Sequence, residues 1–351
     1  MNLHCKPLLS RCVFLALALL LAAAAQAEPI GALAEREMRV LATEFPGRMA
    51  GTEQERAAAE HLVARLASFG LEAELDEFPV QYTHLPAGES ETVEFEGVSQ
   101  NVVVRIPGRS DELIIVGAHY DTAVSASPEQ AEAGIGGPDL QGLDDNASGV
   151  GVLLELAERL SRSEPEHNLR LIFFGAEEVG LQGARHAVAS LSDEDRERLG
   201  LMINIDSIIT GDRLYAHAGP VTVAEDPAHG AARDRVLALA EELGIELNTN
   251  PGLNEEYPAG TGCCSDQVAF DEAGIPVVNF EATNWRLGDQ DGYQQTEISE
   301  AFPAGQTWHN IHLDQIDHLE KHLPASRLSE RPAQVVRLIS TFLEDKAENR
   351  E

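Results

Sequence analysis

Two adjacent carboxylates, Glu177 and Glu178, closely follow a short apolar run that ends at Phe174. Such a run is typical of a strand buried on both faces of a sheet, and open α/β sheets place their ligand sites at the carboxyl ends of these strands. One carboxylate can hold a metal ion while its neighbour, pointing another way, faces a bound water. The alternative is a solvated acidic turn, which is the commoner role of an isolated acidic pair. The rest of the sequence decides between the two.

Further side chains that can bind metal stand at the ends of other predicted elements. They are His119 with Asp121, Asp145, Asp206 and, nearer the C-terminus, His309. The intervals between them are far too long for a zinc finger and suit ligands that the tertiary structure brings together. Each residue alone is more often a hydrogen-bonded structural residue, but the whole set predicts one common site.

Two histidines and three carboxylates, with no thiolate, form a ligand set for zinc or a similar divalent ion. If Asp145 bridges two ions, each ion also has one histidine and one further carboxylate. A pair of ions about 3.5–4 Å apart can activate one water and hold a substrate carbonyl. Glu177 is then predicted to act as the general base, and Asp121 to orient the ring of His119.

The elements that must position these residues alternate between strands and helices. Strands are predicted at 71–80, 92–95, 101–106, 113–116, 169–174, 201–205 and 275–280. Helices are predicted at 31–45, 52–69, 180–190, 236–243, 265–272 and 325–343, with one more that Asn146 or Ser148 can cap. We therefore expect an α/β protein with three α/β/α layers: a mixed, mostly parallel central sheet with helices on both faces.

Four motifs carry a resemblance to a known family: HYDT at 119–122, DDNASG at 144–149, AEEVGLQGA at 176–184 and NID at 204–206. Their order, spacing and identity resemble those of the M28 family of co-catalytic zinc aminopeptidases. Segments 250–266, 281–295 and 302–314 resemble the alkaline phosphatase isozyme conversion group within that family. The resemblance covers nearly the whole chain after residue 27. It implies an exported enzyme that removes N-terminal residues, with N-terminal arginine as the activity for which the group is named.

The resemblance also implies two zinc ions per chain, with Glu177 as the base. It places the metal ligands at His119, Asp145, Glu178, Asp206 and a C-terminal histidine. Typical members carry this histidine in a His-Thr-Pro-x-Asp-Thr context, whereas this chain reads WHNIHLDQIDH at 308–318. His309 matches the isozyme conversion pattern and is preferred over His312, while His318 is expected to be exposed on a short helix.

Loops at strand ends supply specificity, so segments 250–266 and 282–306 are expected to form the substrate pocket. Acidic residues in or beside these loops are candidates to meet a basic side chain at the first substrate position. They are Glu255, Glu256, Asp266 and Glu281. An ordinary loop role remains open for each of them.

The first 27 residues have the pattern of a signal peptide. Lys6 and Arg11 accompany an apolar run at 13–25, and a small-residue cleavage site ends at Ala27. The run is shorter than the roughly 20 residues that a membrane-spanning helix needs. We expect an exported protein, periplasmic or secreted, in which residues 28–351 form a single M28-type zinc peptidase domain.

The chain is strongly acidic, with 59 Asp and Glu against 25 Lys and Arg and a net charge of −34. This charge disfavours nucleic acid and anionic membranes as partners. A hydrated surface is the plainer explanation, and attraction of cationic peptides is the alternative. Peptide or protein N-termini are the expected substrates, and the oligomeric state is left open. Cys263 and Cys264 are adjacent, and both a strained vicinal disulfide and two free thiols are compatible with the sequence.

Two other functions compete with a di-zinc aminopeptidase. One is an acyltransferase of the same fold, such as a glutaminyl cyclase, which works with a single zinc and no hydrolytic water. The other is a catalytically silent binding ectodomain. The complete ligand set and the Glu177–Glu178 pair favour hydrolysis, and two metal equivalents per chain would separate a peptidase from a cyclase.

Overall fold

The computed structural model describes residues 28–252, 257–262, 264–283, 299–300, 302–303, 305 and 307–344. The predicted signal peptide, Glu255, Glu256 and Cys263 lie outside these described residues. In the described ranges, no helix combines the length and the apolar character needed to cross a bilayer.

Within the described residues, seven strands form one mixed sheet in the order β1-β2-β4-β3-β5-β7-β6. They are β1 (Ala73–His84), β2 (Val93–Ile106), β3 (Leu113–His119), β4 (Asn168–Phe174), β5 (Leu199–Ile205), β6 (Arg213–Ala218) and β7 (Val277–Thr283). The central strands β4, β3, β5 and β7 run parallel. The pairings of β1 with β2, β2 with β4 and β6 with β7 are antiparallel. The predicted mixed sheet with a parallel centre is confirmed.

The helices of the described residues are α1 (Ala32–Glu44), α2 (Glu53–Ser68), α3 (Pro128–Glu132), α4 (Gly149–Leu160), α5 (Gln182–Ala189), α6 (Asp193–Arg198), α7 (Pro220–Glu225), α8 (Ala231–Leu243), α9 (Gln267–Asp271), α10 (Ile316–His322) and α11 (Arg327–Glu344). Residues Leu143–Ser148 form a kinked turn with non-helical backbone at Asp145 and Asn146, and a 3-10 turn spans Pro227–Gly230. The predicted cap of α2 is present, since Thr52 Oγ1 accepts a hydrogen bond from the backbone N–H of Glu55 at 3.2 Å. For α4, Ser148 occupies the N-cap position without a side-chain capping bond, whereas Asn146 Oδ1 accepts from the N–H of Gly149 at 2.9 Å.

Successive residues of the central strands face two different apolar layers. In β3, Ile114 and Val116 pack into a large core with α1, α2, α4, α8 and α11, whereas Ile115 packs into a smaller core with α5 and α9. This alternation follows from the two-residue period of a strand, and it buries both faces of the sheet. The predicted three-layer arrangement, with helices on both faces, is confirmed.

Two strands differ from the prediction. β2 is continuous where two separate strands were predicted, because residues 96–100 pair with residues 81–77 of β1. β6 was not predicted at all, and it forms an edge by pairing with β7. In both cases the pairing partner, which is distant in sequence, outweighs the local pattern.

The carboxyl ends of three parallel neighbours, β4, β3 and β5, lie side by side. His119 is the last residue of β3, Asp206 directly follows β5, and Glu177 and Glu178 follow β4 after a two-residue turn. The sheet order thus brings segments that are tens of residues apart to one edge, which is where open α/β sheets bind ligands.

Candidate metal centre

The carboxylate of Asp145 lies between two imidazole rings. Its Oδ1 is 3.1 Å from His119 Nε2, and its Oδ2 is 3.1 Å from His309 Nε2. The two oxygens of one carboxylate therefore face two different histidines, which is the arrangement expected of a ligand that bridges two ions.

One further carboxylate joins each histidine. Asp206 Oδ1 lies 3.4 Å from His119 Nε2, and Glu178 Oε2 lies 3.1 Å from His309 Nε2. Among the described residues, the groups of three or more close donors are His119–Asp145–Asp206 and Asp145–Glu178–His309. The structure thus brings together all five residues predicted as ligands, as two overlapping triads that share Asp145.

The acidic pair after β4 is held through its backbone. Asp121 Oδ1 accepts a hydrogen bond from the N–H of Glu177 at 3.0 Å, and Asp121 Oδ2 accepts one from the N–H of Glu178 at 3.2 Å. Asp121 was expected to orient His119, and its Oδ1 is also 3.5 Å from His119 Nδ1. One fully buried carboxylate therefore joins the end of β3 to the turn that carries both glutamates.

The turn that carries Asp145 is fixed by a buried aspartate and begins at a glycine. Asp314 accepts hydrogen bonds from the N–H groups of Asp144 and Asp145, at 2.7 and 3.1 Å. Gly142 begins this turn with φ of 53°, and a Cβ there would lie 2.4 Å from the carbonyl oxygen of Asp145. Glycine is therefore required at this position. The peptide bond between Asp145 and Asn146 is cis.

A buried arginine joins this turn to the end of β3. Arg48 has no exposed surface and donates to the carbonyl oxygens of Tyr120 at 2.5 Å, Gln141 at 2.6 Å and Gly142 at 2.8 Å. Burial lowers the pKa of Arg48 to about 10, so its guanidinium stays charged at neutral pH. This cation lies close enough to Asp314, Asp121 and Asp145 for their charges to act on it.

Backbone strain is concentrated around the same residues. Ala176, Ser207 and His309 have positive φ values of 55°, 55° and 59° although none is glycine. Ala176 precedes Glu177, Ser207 follows Asp206, and His309 is itself a predicted ligand. Strain of this kind persists where surrounding contacts over-determine the backbone, and it clusters at functional sites.

The electrostatics of the site favour bound cations. Burial raises the pKa of Glu178 to about 8. Burial opposes the charged form of His309, but Glu178 and Asp145 outweigh it and raise the pKa of the imidazole to about 10. Burial also disfavours the charged form of Asp145, yet hydrogen bonds from His119 and His309 hold the pKa of this carboxyl below its usual value. The surrounding carboxylates therefore favour positive charge at the two imidazoles, and bound divalent cations would supply it.

The donor set also fits zinc. Glu178 Oε1 is buried and has no hydrogen-bond partner among the described residues. Nitrogen and carboxylate donors with a shared Asp145, and no thiolate, are suitable zinc ligands. The two histidines differ in exposure: the His119 side chain is 1% exposed and that of His309 is 37% exposed, so His309 is the ligand candidate nearer to solvent.

The other histidines of the C-terminal segment lie apart from this cluster. His312 is exposed, and neither triad of the described residues includes it. His318 lies on the short helix α10, as expected, but it is half-buried rather than exposed, with its ring 4.5 Å from that of His322.

The acidic residues considered for substrate recognition have different surroundings. Asp266 is fully buried, and neither carboxylate oxygen has a hydrogen-bond partner within the described part of the chain. Burial, together with the charges of Asp206, Asp121 and Glu178, raises its pKa well above the usual value. Glu281 Oε1 lies 2.8 Å from Nε2 of the buried His217. Cys264, two residues before Asp266, is disulfide-bonded.

Comparison with known proteins agrees with this geometry. The model of peptidase family M28 matches residues 101–328, and the alkaline phosphatase isozyme conversion protein of Escherichia coli is 40% identical over 90% of this chain and 91% of its own length. The chain belongs to peptidase family M28. The predicted resemblance to the isozyme conversion group is confirmed, as is the enzyme class, a metallo-aminopeptidase and thus a hydrolase. Aminopeptidase YwaD of Bacillus subtilis is a more distant relative, 30% identical over 64% of this chain and 41% of its own length.

Solved structures support the M28 fold. A zinc aminopeptidase from Bacillus subtilis superposes with a TM-score of 0.65 and 17% identity, over 93% of this chain and 98% of its own. A glutaminyl cyclase from Porphyromonas gingivalis superposes with a TM-score of 0.60 and 19% identity, over 90% of this chain and 99% of its own. At these identities the likeness concerns the fold, which aminopeptidases and cyclases share.

Sequence reasoning did not single out three residues that hold the candidate site together: Arg48, Asp144 and Asp314. Asp144 accepts hydrogen bonds from the N–H groups of Ile209 and Thr210, at 2.8 and 2.9 Å, and so holds the segment after Asp206. The signal available for Asp314 was its place at the end of the segment that carries His309. Arg48 stands between helices far upstream, and nothing in its local pattern indicates a buried role.

Proposed function

We propose that this protein is a di-zinc aminopeptidase that hydrolyses the N-terminal peptide bond of peptides or exported proteins. The observation that carries the proposal is the position of Asp145, whose two oxygens each lie 3.1 Å from a different histidine. A single-zinc enzyme has no need for a carboxylate shared in this way. His119, Asp145 and Asp206 would hold one ion, and Asp145, Glu178 and His309 the other.

Glu177 is proposed as the general base, and it would act beside the metal pair. Its backbone N–H is held by Asp121, and desolvation of its carboxyl group raises its pKa well above the usual value. A carboxylate with a raised pKa is a better proton acceptor, so Glu177 can take a proton from the attacking water and deliver it to the leaving amine. Bound zinc would supply Lewis-acid polarisation of the substrate carbonyl and acidify the water.

The substrate is proposed to be a free N-terminus, with N-terminal arginine as the first preference to test. The activity implied by the resemblance to the isozyme conversion group and the predicted acidic pocket residues support this choice. Asp266 and Glu281 are the two described members of that set, and Asp266 lies close enough to the site for its charge to act on Glu177. A net charge of −34 would favour the approach of cationic peptides.

Export is proposed from the first 27 residues, with a mature chain of residues 28–351 that forms one peptidase domain. N-terminal sequencing of the protein from the periplasm or the culture medium tests this proposal directly. A mature protein that begins at Glu28 supports it, and an intact N-terminus on cytoplasmic protein contradicts it.

The catalytic proposal is tested by metal counting together with a panel of aminoacyl chromogenic substrates. We expect two zinc ions per chain, hydrolysis that stops when a chelator removes the metal, and recovery when zinc is restored. One zinc per chain with cyclisation of N-terminal glutamine would point to a cyclase, and zinc binding without turnover of any substrate would point to a binding protein. Either outcome contradicts the proposal.

A further inference from the structure

Asp314 lies where the His309 segment meets the turn that carries Asp145. It is fully buried, and each of its carboxylate oxygens accepts a hydrogen bond from one of two successive backbone N–H groups, those of Asp144 and Asp145. An aspartate satisfies both donors because it is an acceptor at both oxygens. Its contacts are therefore to the backbone of a predicted ligand, whereas the side chain of Asp145 remains free for the two histidines.

The same turn also contacts the segment that follows a third predicted ligand, Asp206. Asp144, held by Asp314, uses its own carboxylate to accept from the N–H groups of Ile209 and Thr210, just after Asp206. The Thr210 hydroxyl also donates to Asp144 and accepts from Thr307, two residues before His309. The segments of His309, Asp145 and Asp206 thus form one hydrogen-bonded network of buried groups.

The His309 segment depends on such contacts more than the strand-borne ligands do. His119 is the last residue of β3, and Asp206 directly follows β5, so the sheet positions both. His309 lies in a loop with positive φ, and its carbonyl oxygen accepts from the N–H of Gly136 at 2.7 Å. Asp314 connects this loop to the bridging ligand, so it bears most directly on the triad of Asp145, Glu178 and His309.

We propose that Asp314 is a positioning residue that pre-forms the bridging geometry of Asp145 and thereby sets the affinity for the second zinc ion. The inference rests on the proposed di-zinc function. Asp314 touches neither substrate nor reacting atoms. Residues that orient metal ligands from outside the coordination sphere typically contribute about 10–100-fold to metal affinity or activity.

Two substitutions separate position from charge. Asp314→Asn keeps the shape but removes the charge, and it turns an amide NH₂ towards one of the two N–H donors. Asp314→Glu keeps the charge but displaces the carboxylate by one methylene. If position matters, both variants weaken the second zinc equivalent; if only charge matters, Asp314→Glu behaves like wild type.

The chain offers a matched control in Asp271. This buried aspartate accepts from the N–H groups of Val221 and Thr222, both at 2.9 Å, and it holds the start of α7, which carries no predicted ligand. Asp271→Asn removes the same kind of paired contact elsewhere in the fold. It should lower the melting temperature about as much as Asp314→Asn and leave zinc binding unchanged.

The first measurement is a competition titration of the full chain with Zn²⁺ against a chromophoric chelator. We expect two equivalents for wild type and Asp271→Asn, and a second equivalent that binds about 10–100-fold more weakly in both Asp314 variants. Wild-type affinity in both variants, or in Asp314→Glu alone, would overturn the inference. If wild type itself takes up fewer than two equivalents, the di-zinc function fails instead.

The second measurement needs neither metal nor activity, and its test on the wild-type chain applies even if the variants do not fold. Hydrogen exchange of the chelator-treated wild-type chain should show protected amides at Asp144 and Asp145, because their donors are paired with a buried carboxylate. Exchange should be at least tenfold faster in a folded Asp314→Asn chain and unchanged in Asp271→Asn. Amides that exchange in metal-free wild type as fast as those of an exposed loop would show that the turn is not pre-formed, and would overturn the inference.

Discussion

The backbone N–H of Glu178 donates a hydrogen bond to Asp121 Oδ2 at 3.2 Å, so a residue two positions beyond the end of β3 holds a predicted ligand that follows β4. The N–H of Glu177 donates to the other oxygen of the same carboxylate. The acidic pair is therefore fixed through its main chain, and both side chains remain available for the site. The proposed roles of Glu178 as a metal ligand and Glu177 as the general base depend on these backbone contacts.

Glu177→Gln should retain zinc and lose activity. The substitution removes the proton acceptor but spares every proposed ligand, so we expect kcat to fall by about 10²–10⁴-fold or more at an unchanged zinc content. Zinc analysis and steady-state kinetics on an aminoacyl chromogenic substrate measure the two quantities on one preparation. Activity near that of wild type would show that Glu177 is not the base.

Asp145→Ala should lower the zinc content itself. Both triads of the described residues share Asp145, so its loss removes one ligand from each ion. We expect the content to fall from two zinc ions per chain to one or none after dialysis. Asp139→Ala is the matched control, because Asp139 is an exposed acid in the same loop. Equal zinc contents in the two variants would contradict the bridging role.

Stability should depend on pH through Glu37, a buried residue of α1 that lies outside the site. Burial opposes its charge, but the contacts with His61 and Arg65 lower its pKa from 4.5 to about 2, and Arg65 Nη2 lies 2.7 Å from Glu37 Oε1. A lowered folded-state pKa means that the contribution is present above pH 4.5 and is lost as the pH falls towards 2.

Glu37→Gln should accordingly lower the free energy of unfolding at pH 7 by about 3 kcal/mol, the order of magnitude of that pKa shift. The difference from wild type should shrink as the pH falls below 4.5. Urea titrations at several pH values measure it. Glu35→Gln, in the half-buried pair with Arg39, serves as the control and should cost less than about 1 kcal/mol. A difference that grows towards low pH would have the wrong sign.

Arg48→Lys should destabilise the fold although it keeps the charge. Lysine cannot reproduce the planar group that reaches the carbonyl oxygens of Tyr120, Gln141 and Gly142, so at least one of them is left buried and unpaired. We expect a loss of about 2–4 kcal/mol in urea denaturation. Arg56→Lys, on the exposed surface of α2, should change stability by less than about 0.5 kcal/mol. Similar stabilities for the two variants would rule out the structural role of Arg48.

Local pattern was sufficient for much of the fold. The apolar strands, the Thr52 cap and the alternation of strands with helices all follow from interactions between residues that are close in sequence. The types of the candidate ligands and their positions at strand ends could be predicted from the sequence for the same reason. The pattern failed for β2 and β6, whose extent depends on pairing with β1 and β7 rather than on neighbouring residues.

By itself, the sequence determined the family, the fold class and the set of candidate donors, because motifs and periodicity are properties of short segments. Only the tertiary structure decided which donors meet: that Asp145 faces both His119 and His309, and that Asp314 holds the turn between them. These relations join residues from separate strands and loops. Their distances depend on sheet order and on buried hydrogen bonds between loops, which no periodicity within a segment encodes.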